Sequence, residues 1–209
     1  MKALEKIYIY RIVYRDNLKI ILRDKKINAP NLGDNKNYIS IGEEELIQHR
    51  EEIKVPIEPF GSLKDYVSFY FGERSPMLYC IKNGYDVTKR SQEEIIYLVS
   101  SVKKIIEDQK RFVFTDGHAY ASFTMFFNDI RKTNNIDWNA VKLKRWHNTE
   151  EDPDRKRRKQ AEFFVHKSVN LESILAIVVY NQESYNYILN VLKEFNSTLR
   201  VIIKKDWYY

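Results

Sequence analysis

The chain has little of what usually staples or punctuates a fold. Among its 209 residues Cys80 is the lone cysteine, which excludes an intrachain disulfide and any metal centre built from clustered thiolates. Six glycines and five prolines leave no room for a low-complexity linker or an array of repeats, so one domain over residues 1–209 is expected. No apolar run approaches the roughly 20 residues of a membrane-crossing helix. Met1 to Tyr14 lacks the apolar core and small-residue cleavage site of a secretory leader. We therefore expect a soluble, cytoplasmic monomer with no membrane contact. The four histidines, His49, His118, His147 and His166, share no metal-ligand spacing, so no metal site is expected. Gly-x-Gly-x-x-Gly, Walker, His-Glu-x-x-His and Gly-x-Ser-x-Gly patterns are also missing, which removes the common nucleotide-binding and hydrolase loops.

What is present is apolar substance and a modest positive charge. A hydrophobic content of 44% supplies a real core, and a net charge of +6 favours an anionic partner. Fifteen Tyr and eleven Phe offer stacking faces for bases, although most serve the core. The most informative run is Arg155-Lys-Arg-Arg-Lys-Gln-Ala-Glu162-Phe-Phe-Val165. Five consecutive cations lead into an alternating apolar stretch that holds one acid, Glu162. Such a stretch can grip a polyanion and poise a carboxylate beside it; it also reads as a solvated basic loop entering an ordinary strand.

Alternating β-branched and aromatic residues predict strands over Ile7–Tyr14, Tyr66–Phe71, Glu94–Ser100, Phe112–Thr115, Ala161–Lys167, Ile174–Val179 and Leu199–Ile203. Helices are expected after an Asp16 cap, over Gly42–Ile53, from Ser75-Pro76, and over Val102–Gln109, Phe123–Arg131, Val141–Trp146 and Ser184–Phe195. Residues 24–40 read as a loop, and Thr149–Asp154 as an acidic turn. Strands and helices mix irregularly, which predicts an α+β fold. In the strand ending at Phe71, Tyr70 should face away from Phe69 and Phe71, where its ring can stack on a flat heterocycle or simply pack. Thr115-Asp-Gly-His-Ala119 places a polar cluster at a strand end; His118 there can serve a phosphate or base edge, or merely close a turn. Arg50, near the end of a polar helix, reads on its own as a surface charge.

Taken together, several segments resemble one family. Ile9-Tyr-Arg-Ile-Val-Tyr-Arg-Asp-Asn-Leu18, Lys54-Val-Pro56, Asp65-Tyr-Val-Ser-Phe-Tyr-Phe71, Arg74-Ser-Pro-Met-Leu-Tyr79, Phe112-Val-Phe-Thr-Asp-Gly-His118, Lys159 to Phe164 and Lys205-Asp-Trp-Tyr-Tyr209 are similar, in this order and spacing, to the DarT family of bacterial DNA ADP-ribosyltransferase toxins. The resemblance implies an ADP-ribosyltransferase-like split, mainly antiparallel sheet with surrounding helices and a cleft for NAD+. It implies transfer of ADP-ribose from NAD+ to a base of single-stranded DNA, with nicotinamide released, and a macrodomain antitoxin (DarG-like) as partner. Arg74 to Tyr79 and Asp206 to Tyr209 resemble the thymine-modifying branch; guanine is the alternative. Outside that reading stand modification of RNA or protein, plain NAD+ hydrolysis, and a non-catalytic nucleic-acid-binding module.

By the same resemblance, Glu162 is the catalytic glutamate, Arg50 the essential arginine and His118 the histidine of a Thr-Asp-x-His motif. Arg11, Ile12 and Val13 fall where the family contacts NAD+ through His-Ile-Thr, with Arg11 and Val13 departing from that pattern. Ile20, Asn28, Arg50, Tyr70 and Met77 complete the expected NAD+ pocket, with residues 36–55 as its helical element and 118–162 as the segment presenting DNA. His118, Tyr120, Arg145, Trp146, Arg155, Arg157 and Arg158 are the expected DNA contacts. Cleaving the bond from nicotinamide to ribose develops positive charge on the sugar, which a buried carboxylate stabilises. Glu162 is also the expected acceptor of the thymine N3 proton. A guanidinium keeps its proton, so the family's proton-handling role suits Arg50 poorly, and we expect it to clamp charge instead. A base must be unpaired to enter such a cleft.

Overall fold

Among the described residues, ten strands carry the architecture. They are β1 (Tyr8–Tyr14), β2 (Lys26–Asn28), β3 (Tyr66–Tyr70), β4 (Ile95–Ser101), β5 (Phe112–Thr115), β6 (Phe126–Phe127), β7 (Glu162–His166), β8 (Ser168–Asn170), β9 (Ala176–Val179) and β10 (Val201–Ile203). Seven α-helices of the described residues lie among them: α1 (Asn17–Asp24), α2 (Glu44–Glu52), α3 (Pro76–Asn83), α4 (Val102–Glu107), α5 (Trp138–Lys142), α6 (Arg155–Lys159) and α7 (Gln182–Glu194). The computed structural model describes residues 7–33 and 37–209. The residues before Ile7 in the expected leaderless stretch, and Lys36 of the expected 36–55 element, lie outside the described residues.

Eight strands form one sheet in the order β10-β9-β4-β1-β3-β7-β5-β6, with β2 and β8 paired apart from it. Among the described residues every strand pairing is antiparallel except β10 with β9. The sheet is split near its middle: β1 matches β4 along its whole length, but meets β3 only at Tyr10 opposite Tyr70. Beyond that rung the two strands diverge, and a cleft opens between them.

Burial explains the strand sequences. β4 is buried along its length because both faces are covered. Ile96 and Leu98 point into the main core with Leu18, Ile21, Ile105, Ile188 and Leu192 of the helices. Ile95, Tyr97 and Val99 point the other way, toward Leu78 and Ile81 of α3 and the C-terminal Tyr208. Each such apolar side chain contributes about 1.5–3 kcal/mol on leaving water. α3 starts cleanly: the Ser75 hydroxyl accepts the Leu78 N–H (3.2 Å), Pro76 follows, and Gly84 ends it in the left-handed region at φ 76°. α2 is different. None of its described side chains is buried, so packing alone does not hold it.

Several expected elements differ. Asp16 precedes α1 but makes no side-chain cap; its carboxylate accepts the Tyr187 hydroxyl instead. The expected loop over 24–40 contains β2, whose partner β8 lies far away in sequence. Phe123–Arg131 is not a helix: Phe126 and Phe127 form β6, with Phe127 stacked on Phe114 at 5.2 Å, and a 3-10 turn follows from Ile130. Helix α5 stops at Lys142, so 143–146 are not helical and the chain bends at Lys144.

Candidate active site

Glu162 begins β7, directly opposite Tyr70 of β3. It is 1% exposed, so its carboxylate needs partners inside the protein. Arg50, in the last turn of α2, donates from Nη2 to Oε1 at 2.7 Å. The Ala119 N–H donates to Oε2 at 2.9 Å. Thr115 secures the strand itself: its hydroxyl accepts the Glu162 N–H (3.2 Å) and donates to the Gly117 carbonyl (2.7 Å). The polar turn after β5 thus docks on the strand that carries the acid.

Arg50 also turns Nη1 toward His118 Nε2, 3.1 Å away. A guanidinium only donates, so Nε2 accepts and the ring proton sits on Nδ1. Burial pushes the His118 pKa down to about 4, Arg50 and Lys156 add to that, and Glu162 opposes it; at neutral pH the ring is uncharged. For Arg50, burial works against the charge, yet Glu162 and then Tyr70 more than offset it and hold the guanidinium above its ordinary value. Burial, then the Glu162 charge, raises Tyr70 well above the phenol range.

These groups line a cleft of about 570 Å³. Of the residues expected at an NAD+ pocket, Arg11, Ile12, Asn28, Arg50, Tyr70 and Met77 line it. Val13 and Ile20 do not, which corrects the expectation for both. Val13 points into the main core on the other face of β1 and is 1% exposed; Ile20 sits on α1 away from the cavity wall. Arg11 reaches into the split, giving Nη1 to the Ser68 carbonyl at 2.9 Å, while its buried Nε has no hydrogen-bond partner among the described residues. The Arg15 N–H bonds to the Glu94 carbonyl (2.8 Å), so ladder alternation aims the Ile12 N–H and C=O away from β4 and into the opening. Leu46 and Ile47 of α2 and Tyr85 form apolar walls. The cavity therefore offers aromatic and aliphatic faces, free backbone groups and two guanidiniums, a set that fits a dinucleotide carrying a pyrophosphate. Among the described residues, no group of three or more His, Cys, Asp or Glu is placed to hold a metal ion, and no helix is long and apolar enough to cross a membrane.

The expected DNA contacts divide sharply. Tyr120 is 49% exposed and lies beside His49 and His118, and Arg145 is exposed. Trp146 is not an open stacking ring: it is 5% exposed, packs edge-on against Tyr79, and gives its N–H to the Tyr209 hydroxyl at 2.8 Å. The basic run is neither a loop nor a free cationic grip. It forms α6, with Arg155 on Asp152 (3.1 Å), Arg157 between Asp116 (3.0 Å) and Asp154 (2.8 Å), and Arg158 on Asp137 and Asp152. Lys159 is buried, bonded to the carbonyls of Glu73 (3.2 Å) and Val141 (2.5 Å), and burial brings its pKa down to about 8. Arg157 instead holds the turn after β5: the His118 N–H bonds to its carbonyl (3.0 Å), and its side chain lies against Gly117.

Sequence reasoning missed Thr115 as the support of Glu162, the Ala119 N–H, and Lys156 and Gln160 in the cavity wall. The Thr115-Asp-Gly-His motif carried a signal for Thr115; a backbone N–H carries none.

Comparison with known proteins agrees with this geometry. Residues 10–209 match the family described as ssDNA thymidine ADP-ribosyltransferase, DarT. The chain is 40% identical over 203 residues to a DNA ADP-ribosyl transferase of Thermus sp. (strain 2.9), covering 96% of this chain and 95% of that protein. It is 34% identical over 206 residues to a DNA ADP-ribosyl transferase of Escherichia coli O127:H6 (strain E2348/69 / EPEC), covering 98% and 94%. Its fold superimposes on Thermus sp. 2.9 DarT in complex with ADP-ribosylated ssDNA with a TM-score of 0.92, at 39% identity and over 100% of both chains. The same Thermus protein in complex with NAD+ gives 0.89, at 40% identity and over 98% of each.

Proposed function

Since the chain belongs to the DarT family, we propose that it transfers ADP-ribose from NAD+ to N3 of thymine in single-stranded DNA, selectively for sequence and with release of nicotinamide. It is an enzyme, a DNA ADP-ribosyltransferase with NAD+ as co-substrate and an ADP-ribosyltransferase-like mixed sheet. The observation that carries the reading is the Arg50–Glu162–His118 constellation lining the cleft, with Glu162 buried.

When bound, NAD+ supplies an ADP-ribosyl group whose departure from nicotinamide develops positive charge at the ribose. Glu162 faces that charge from a desolvated position, where its field is strong. Each of its oxygens has one donor in place, from Arg50 and from the Ala119 N–H, and each keeps a lone pair. One of these accepts the N3 proton as the base nitrogen bonds to the anomeric carbon, so the proton ends on Glu162. Arg50 is a clamp in this reading. Its raised pKa keeps it cationic, and its fork fixes Glu162 and the neutral His118 while leaving N–H donors for a phosphate or base oxygen. Tyr70, Met77, Asn28 and Ile12, with the 37–55 wall, bind the dinucleotide; residues 118–162 present the DNA, with His118 and Tyr120 at the base. A toxin role with a macrodomain antitoxin (DarG-like) as partner rests on membership of the family.

The test is mass spectrometry of short single-stranded oligonucleotides of varied sequence after incubation with NAD+. One added ADP-ribosyl group on thymine-containing strands is expected, lost in Glu162→Gln. Modification confined to guanine, to RNA or to protein would overturn the reading.

A further inference from the structure

The charge that the sequence concentrates in α6 is largely spent inside the protein. Arg155, Arg157 and Arg158 face Asp116, Asp137, Asp152 and Asp154, and Lys159 is buried against carbonyls. A cation already paired at close range releases few counterions when a phosphate approaches. The segment just before the acidic turn has the opposite character. From Leu143 to Asn148 the backbone forms neither helix nor strand and bends at Lys144. Lys142 at the end of α5 is exposed, as are Lys144, Arg145 and His147 in this stretch and Lys156 near the start of α6. Among the described residues none of the four cations Lys142, Lys144, Arg145 and Lys156 has an acid within ion-pair distance.

The stretch is anchored rather than loose. Trp146 is buried and bonded to Tyr209, and Asn148 accepts the Lys156 N–H at 2.8 Å. It also leads to the reaction centre: Lys156 lies over the Trp146 ring at 5.9 Å, lines the cleft, and lowers the His118 pKa through its charge. The exposed His147 ring lies flat on Trp146, 4.2 Å away at 20°, so its outer face continues a stack that a nucleobase can join.

We propose that single-stranded DNA is held by its phosphates along Lys142, Lys144, Arg145 and Lys156, with one base stacked on His147, and not along the arginines of α6. The inference deepens the proposed function and rests on it. It is tested by fluorescence polarisation of a labelled mixed-sequence single-stranded oligonucleotide across a salt series. Each phosphate contact to a single strand contributes roughly 0.7 to the slope of log K against log salt, so Lys142→Ala/Lys144→Ala/Arg145→Ala should flatten it by about 2. These side chains are exposed, so the melting temperature should stay near wild type. Arg155→Ala should leave the slope unchanged, and His147→Ala should weaken binding severalfold at every salt concentration. An unaltered slope in the triple variant, or a flattened one in Arg155→Ala, overturns the phosphate track while the wild type still modifies the oligonucleotide. A wild type that neither binds nor modifies the strand overturns the functional reading, and this inference with it.

Discussion

Replacing Arg50 by lysine separates two things the guanidinium does. The charge is kept, so Glu162 is not left as an uncompensated buried anion, a situation that costs about 3–5 kcal/mol and would blur any kinetic result. What is lost is the fork. Arg50 reaches Glu162 through Nη2 at 2.7 Å and His118 through Nη1 at 3.1 Å; one ammonium nitrogen cannot hold both partners in those directions. Losing one hydrogen bond costs about 1–1.5 kcal/mol, which for a chain of this length lowers the melting temperature by about 2–6 °C. The kinetic effect should be larger. Misaimed donors at a site of developing charge cost about 3–4 kcal/mol, or roughly a hundredfold to a thousandfold in kcat. Initial rates of oligonucleotide modification at saturating NAD+, read beside a thermal melt, measure both. A kcat within about threefold of wild type, in a variant that melts where expected, would refute the clamp and return Arg50 to the status of a simple counter-charge.

Three further outcomes follow from the same geometry. His118 has a folded pKa of about 4, below the roughly 6.5 of a free imidazole, so its contribution is present above about pH 6.5 and lost as pH falls toward 4. Denaturant melts at pH 7 and pH 4.5 should therefore show a smaller acid loss in His118→Gln than in wild type, and an equal loss would rule this out. In Gly117→Ala the new methyl would fall on Arg157 Nη1 and 2.8 Å from its Cγ. Displacing that side chain should cost about 1–3 kcal/mol and disturb the turn that carries the Ala119 N–H, so stability and modification rate should fall together; a variant with wild-type rate contradicts the Arg157 latch. Tyr209→Phe strands the Trp146 N–H and the Arg74 carbonyl, both 2.8 Å from the hydroxyl, and should lose about 1–3 kcal/mol in a circular-dichroism melt, whereas an unshifted midpoint would show that water replaces the phenol.

The parts of the fold that could be read from sequence are those with strong local patterns. β1, β4, β5 and β7 are alternating or continuous apolar runs, and α3 carries Ser75, Pro76 and Gly84 at the positions that start and stop a helix. What failed was decided by distant partners. Phe123, Phe126, Phe127 and Ile130 have the spacing of a helical face, yet Phe127 stacks on Phe114 and the chain pairs as a strand. Three residues of β2 hold no strand signal until β8 meets them from across the chain. The α6 cations look free in sequence because Asp116 and Asp137, which neutralise two of them, come 41 and 21 residues earlier. Glu162 stood out because an acid among apolar neighbours is conspicuous. Arg50 did not, since only the folded chain brings α2 over β7.

The divided sheet has a consequence for how the enzyme can be taken apart. Strands β1, β4, β9 and β10 lie on one side of the opening, and β3, β5, β6 and β7 on the other, so the polypeptide passes back and forth between the banks. No single scission yields one bank alone. A fragment that kept Glu162 but lost the first strand would lack Arg11 and Ile12 on the far wall, and split-protein reconstitution of this scaffold has to begin from two pieces that are each already incomplete on both sides or on one.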